Sequence, residues 1–146
     1  MTKAPAILLR NAQRALRLDV PDLRRFSERA LRLCFEEPAD KRGELDSLAE
    51  ISIVLVSDRR MAALHKQFMN IDGPTDVLTF QHGEIFISVE TAQENAAQFG
   101  TTTDDEIRLY IVHGLLHLRG FDDLTPAQAR RMDSVQQRIV AAAIRA

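Results

Sequence analysis

Residues 107–123 read IRLYIVHGLLHLRGFDD. Two histidines, His113 and His117, stand four apart inside an apolar run, and a glycine and a pair of aspartates follow. Four residues make one helical turn plus about 40°, so both imidazoles leave the same face of a helix. Ile107, Ile111, Val112, Leu115, Leu116 and Leu118 span nearly every other direction, and a helix that is apolar all round is buried. Imidazoles on a buried helix need partners, because an unsatisfied buried polar group costs about 1–3 kcal/mol. Zinc is an economical partner, since it takes neutral imidazole nitrogens and i, i+4 is the spacing that chelates from one helix. Hydrogen bonds from the pair to backbone or carboxylates are the alternative. Downstream, Gly120 ends the helix, Phe121 can plug into the core, and Asp122 or Asp123 arrives within reach of a third corner.

Outward from this helix the chain reads as α+β: a small mixed sheet of about four strands covered by about five helices. On the N-terminal side, TTTDDE (101–106) supplies a cap and acids for the first helical turn. Before it, VETAQENAAQF (89–99) is a helix stopped by Gly100. DVLTF (76–80) and GEIFIS (83–88) read as the two strands of a hairpin. Ser57 caps a helix over DRRMAALHKQFM (58–69), which follows the β-branched strand AEISIVLVS (49–57). Pro21 opens a helix over PDLRRFSERALRLCFEE (21–37), and PAILLRN (5–11) is compatible with a first strand. On the C-terminal side Thr125 and Pro126 start a last helix that runs to the end of the sequence.

With 146 residues and 45% hydrophobic content, one compact domain over 1–146 with a real core is expected. The breaker-rich stretch EEPADKRGELDS (36–47) is too short to divide it. A formal charge of −2 gives no global bias toward nucleic acid or anionic membrane, so RNA binding would need a local basic face. The lone cysteine, Cys34, excludes an internal disulfide, suits a reducing compartment and lies on an apolar helix face as core filler. No apolar run approaches the roughly 20 residues of a membrane span, and the expectation is a soluble, cytoplasmic protein with no membrane partner.

The spacing H-x-x-x-H-x-x-G-x-x-D resembles that of the metzincin peptidases with two changes. Gly114 stands where those enzymes carry a glutamate general base, and Asp123 where they have a third histidine. Without a carboxylate at 114 the peptidase reading is the weaker one. HGLLHLRGFDD (113–123) also resembles the H-G-x-L-H-L-x-G-[YF]-D-H signature of the YbeY family, metal-dependent endoribonucleases and ribosomal-RNA maturation factors. LHKQFMNIDGPTDVLTF (64–80) is similar to the family's L-N-x-x-[YF]-R-x-x-D-x-P-T-D-V-L-S-F. GEIFISVETAQENAAQFG (83–100) is similar to its G-D-I-x-I-S and the alanine-rich helix after it. Three motifs in family order make a far more specific match than any one alone.

The resemblance implies one divalent ion on His113, His117 and Asp123, which would also be the catalytic residues. Zinc is the first expectation; the carboxylate in place of the third histidine moves preference toward manganese or iron. It also implies single-stranded or ribosomal RNA as substrate, small-subunit ribosomal proteins as partners, and a role in ribosomal-RNA maturation and ribosome quality. The family's cleft arginine falls on Met69. That replacement, with Asp123, keeps open a non-catalytic ribosome assembly factor with a structural or weakened metal site. Thr75 and Asp76 either cap the turn before a strand or lie by the cleft to orient a histidine or the substrate. For phosphate contact, Arg59 and Arg60 are expected, because their helix runs toward the PTD turn; the stripe Arg25, Arg29 and Arg32 is the alternative. His65 and His82 are expected in solvent. Stacking platforms for single-stranded RNA are not visible, since aromatics make up 5% and most read as core.

Overall fold

A computed structural model describes residues 4–39 and 41–145. In chain order the elements are β1 (Ala6–Asn11), α1 (Val20–Phe35), a 3-10 turn (Leu45–Ser47), β2 (Glu50–Val56) and α2 (Asp58–Met69). Then come β3 (Val77–Phe80), β4 (Glu84–Ser88), α3 (Val89–Phe99), α4 (Thr103–Arg119) and α5 (Pro126–Arg145). The strands form one mixed sheet in the order β1-β2-β4-β3, with β1–β2 and β2–β4 parallel and the β3–β4 hairpin antiparallel. This is the expected α+β fold.

Local chemistry sets the element ends. Asp19, Ser57, Ser88 and Thr102 each accept a backbone N–H at the start of α1, α2, α3 and α4, satisfying donors the helices leave open. α1 ends at Phe35, two residues before the expected end at 37. The N–H groups of Glu36 and Glu37 turn back to the carbonyls of Leu33 and Cys34, three residues away, which tightens the last turn. α2 stops where Asn70 adopts a left-handed conformation (φ 55°), tolerable for asparagine.

β2 is buried on both faces, as a central parallel strand must be. Ile51, Ile53 and Leu55 join the main core with α1, α4 and α5, while Val54 and Val56 pack with Met61 and Leu64 of α2 and Leu78. Cys34 lies in the main core, where burial and the Glu37 carboxylate push its thiol up to about 12. No helix among the described residues is long and apolar enough to cross a membrane.

Candidate metal centre

α4 runs under the sheet with one face turned toward α5 and a surface cleft. Its core side is packed by Ile107, Ile111, Leu115 and Leu118, so its roll about its own axis is set, and His113 and His117 come out together. Their Nε2 atoms lie 3.0 Å apart. The Asp123 carboxylate reaches the same point, with Oδ2 3.8 Å from His113 Nε2 and 3.9 Å from His117 Nε2. One ligand atom from each residue falls within 4.8 Å of the others.

The outward-facing nitrogens are already engaged. His113 Nδ1 donates to Gln136 Oε1 at 3.0 Å, and His117 Nδ1 donates to the Phe121 carbonyl at 3.1 Å. Carbonyl oxygens only accept, so each neutral ring carries its proton on Nδ1 and presents a bare lone pair at Nε2. Two lone pairs and a carboxylate then face one point with no proton between the rings. Protonation is a poor remedy: burial, and the charge His113 would carry beside it, hold His117 below its ordinary 6.5, outweighing the opposite pull of Asp123. A divalent cation satisfies all three groups at once. Tetrahedral zinc with bonds of about 2.0–2.1 Å spaces its ligand atoms about 3.3–3.4 Å apart, and the separations seen here lie on either side of that. The donor set fits zinc, and its single hard oxygen also admits manganese or iron.

The position of Asp123 comes from the end of α4. Gly120 (φ 120°) turns the chain out of the helix, and the Phe121 N–H bonds back to the Leu116 carbonyl. Phe121 is buried, which anchors the turn and aims its carbonyl at His117. A Cβ on Gly120 would sit 2.2 Å from the Lys41 carbonyl, so the loop 41–43 presses against the helix end and requires glycine there. That contact brings Lys41 Nζ to 2.9 Å from Asp122 Oδ2, and the bond raises the Lys41 pKa above its ordinary value. Asp122 is thus tied to a cation, and Asp123 is the carboxylate at the histidines.

Beside the histidines opens a cleft of about 400 Å³. The loop carrying Lys41, Arg42 and Glu44 forms one wall, and Val77, Thr79 and Gln81 of β3 and its turn form another, with Met69 at the rim. Thr75 and Asp76 do not line it. Asp76 Oδ1 accepts from the Val77 N–H and from Thr75 Oγ1, and its carbonyl accepts from Ser88, so the pair starts β3. Arg59 and Arg60 are exposed on α2 but do not line this cleft; Arg60 borders a different cavity. Arg29 donates to the Ala143 carbonyl and ties α1 to α5. His82 is exposed, whereas His65 is half-buried with Nδ1 2.9 Å from the Gly73 carbonyl. Gly114 faces the sheet: a Cβ there would meet Ile85 at 2.9 Å and Thr79 Oγ1 at 3.0 Å, so position 114 has no room for a side-chain base.

Three contributors escaped sequence reasoning. Gln136 is buried between Val135 and Ile139 on the apolar face of α5, and a polar residue in that stripe was the available sign. Lys41 and Arg42 lie in a breaker-rich loop whose path no periodicity reports.

The family model described as Endoribonuclease YbeY matches residues 9–143. Relatives of that name include one from Bacteroides thetaiotaomicron, 35% identical over 101 residues that cover 64% of this chain and 74% of the relative. One from Kineococcus radiotolerans is 36% identical over 110 residues, covering 64% of each. One from Anaeromyxobacter sp. (strain Fw109-5) is 44% identical over 94 residues, covering 58% of this chain and 49% of the relative, so the match spans about half of that protein. The solution structure of the Thermotoga maritima protein TM1509 matches with a TM-score of 0.66 at 26% identity, over 94% of this chain and 88% of that one.

Proposed function

This chain belongs to the Endoribonuclease YbeY family, and on that premise we propose that it is a metal-dependent endoribonuclease. Its substrate on this reading is single-stranded RNA, cut during ribosomal-RNA maturation and ribosome quality control, in the cytoplasm beside small-subunit ribosomal proteins. The observation that carries the reading is the convergence of the His113 and His117 Nε2 atoms with one Asp123 carboxylate oxygen, both histidines lining an open cleft.

In this reading His113, His117 and Asp123 hold the ion, and Gln136 and the Phe121 carbonyl fix the imidazole tautomers that leave both Nε2 atoms free to bind it. When bound, a divalent ion supplies Lewis acidity and a template for the scissile phosphate. Lys41 and Arg42 stand over the same cleft and neutralise phosphate oxygens on the strand entering it. Asp122 keeps Lys41 at the rim and out of the metal centre. Thr79 and Gln81 offer hydrogen bonds to sugar and phosphate from the β3 side. Met69, apolar at the rim where the family pattern has arginine, favours the second reading, an assembly factor without catalysis.

Zinc- or manganese-loaded protein incubated with single-stranded RNA, duplex RNA and casein tests both. Cleavage confined to single-stranded RNA and abolished by a chelator, with the fold intact by circular dichroism, is the expected result. RNA left uncut by metal-loaded protein that still binds ribosomal subunits would establish the assembly factor instead.

A further inference from the structure

On the other side of the edge strand from the metal cleft lies a second cavity, of about 250 Å³. Phe68, Phe80 and Phe86 wall it, and Arg60, Gln67 and the His82–Glu84 pair form its polar rim. The aromatic rings form a connected set: Phe68 meets Phe80 edge-on with centroids 5.2 Å apart, and Phe80 meets Phe86 edge-on at 5.8 Å. His82 stacks on Phe80 at 5.8 Å, with ring planes 21° apart. Phe68 is 56% exposed, while Phe80 and Phe86 pack on the small core of Val54, Val56, Met61, Leu64 and Leu78.

We propose that this cavity is a nucleobase subsite that takes one unpaired base of the RNA strand whose backbone runs through the metal cleft. The proposal rests on the endoribonuclease reading for the identity of the strand. Three features select a base over an aliphatic side chain. The cavity is smaller than the roughly 300–1,000 Å³ of sites for drug-sized ligands and suits a single planar ring system. Its exposed wall is an aromatic face, which stacks on any base regardless of sequence. Its rim combines the Gln67 amide and the Glu84 carboxylate, which suit the donors and acceptors of a base edge, with the Arg60 cation for the adjoining phosphate.

The continuity of the two sites comes from β3. Val77, Leu78 and Thr79 line the metal cleft while Phe80 lines the second cavity, and the turn that follows gives Gln81 to the first and His82 to the second. Met69 and Phe68, adjacent at the end of α2, also divide between the two cavities. Because β3 is an edge strand, paired only with β4 among the described residues, a nucleic-acid strand crossing its free edge reaches both cavities. The aromatic cluster was not legible as a platform in the sequence, since its rings come from α2, β3 and β4.

The test is the affinity of the full chain for a single-stranded octanucleotide, measured by fluorescence anisotropy with calcium replacing the active metal to prevent cutting. An abasic position is then scanned along the octanucleotide. Phe68→Ala should weaken binding about tenfold, within the range of one lost base–aromatic stack. Phe68→Leu, which keeps apolar bulk without a π face, should not restore it. One abasic position should weaken wild type but not Phe68→Ala, and Arg60→Gln should lower the salt slope by about one phosphate contact. Phe68 is exposed and lines the second cavity, not the metal cleft, so metal content should be unchanged in every variant. Equal affinity of wild type and Phe68→Ala, or rescue by Phe68→Leu, overturns the subsite, the latter pointing to an apolar protein contact. Absence of RNA binding by wild type overturns it too. Binding that depends on Phe68 without metal-dependent cleavage keeps the subsite and removes the endoribonuclease reading.

Discussion

At the scale of single residues the candidate metal centre has one corner unlike the other two. Asp123 is 44% exposed and approaches both imidazoles at nearly 4 Å, while the histidines are held by second hydrogen bonds. A carboxylate on a turn is more easily lost than an imidazole on a packed helix. Asp123→Ala should therefore lower zinc content after dialysis, and Asp123→His should raise it above wild type. Unchanged metal content in Asp123→Ala, read by elemental analysis, would remove Asp123 from the ligand set. His117 carries a pH dependence of definite sign. Its folded pKa lies below the ordinary 6.5, so the unfolded chain takes up the proton first as pH falls. The stability this contributes is present above about pH 6.5 and is lost as pH drops through the folded value. Melting temperatures of the metal-free chain at pH 7.5, 6.5 and 5.5 should fall in that order, and His117→Gln should flatten the series; a rise on acidification would contradict a His117 pKa held below its ordinary value.

At the scale of elements, α4 is placed by how closely it sits on the sheet. Gly114 allows its backbone to approach Ile85 and Thr79, and the missing Cβ is the space those atoms fill. Gly114→Ala would gain up to about 1 kcal/mol of helix propensity. It would also push against Ile85 Cγ2, close to the β4 backbone and fully buried, and overpacking of that kind costs about 1–3 kcal/mol. Overpacking outweighs the gain in propensity, so the variant should be less stable by up to about 2 kcal/mol in urea unfolding. Its metal affinity should fall as well, because α4 must shift to relieve the clash and both histidines ride on it. A neutral or stabilising result would show that the helix has more room than these contacts allow.

At the scale of the whole molecule, a chain of net charge −2 can hold a polyanion only through a local arrangement of cations. Lys41 and Arg42 occupy the cleft wall, while Arg59 lies outside it. Lys41→Gln with Arg42→Gln should weaken single-stranded RNA binding across all sequences and flatten its salt dependence by about two phosphate contacts, with metal content unchanged. Arg59→Gln should leave both affinity and slope as they are. If Arg59→Gln has the larger effect, the strand follows α2 and not the 41–43 loop.

The sequence by itself determined the element order, the α+β class and the two histidines on one helical face. Those features follow from periodicity, caps and breakers, which act over a few residues and leave their mark in spacing. It also brought Asp123 forward, because Gly120 and Phe121 announce a helix stop and a buried anchor within the same short stretch. Contacts between distant segments needed the fold. Gln136 reaches His113 across 23 residues, and Lys41 meets Asp122 only because Gly120 admits the 41–43 loop against the helix end. The direction of their helix points Arg59 and Arg60 toward the cleft, but the direction of an element does not say which side of a sheet it covers. α2 packs on the face opposite α4, where Val54, Val56, Met61 and Leu64 meet, and this carries Arg60 to the aromatic cavity. Which face each helix covers is decided by burial of the whole apolar surface at once, a property no single segment contains.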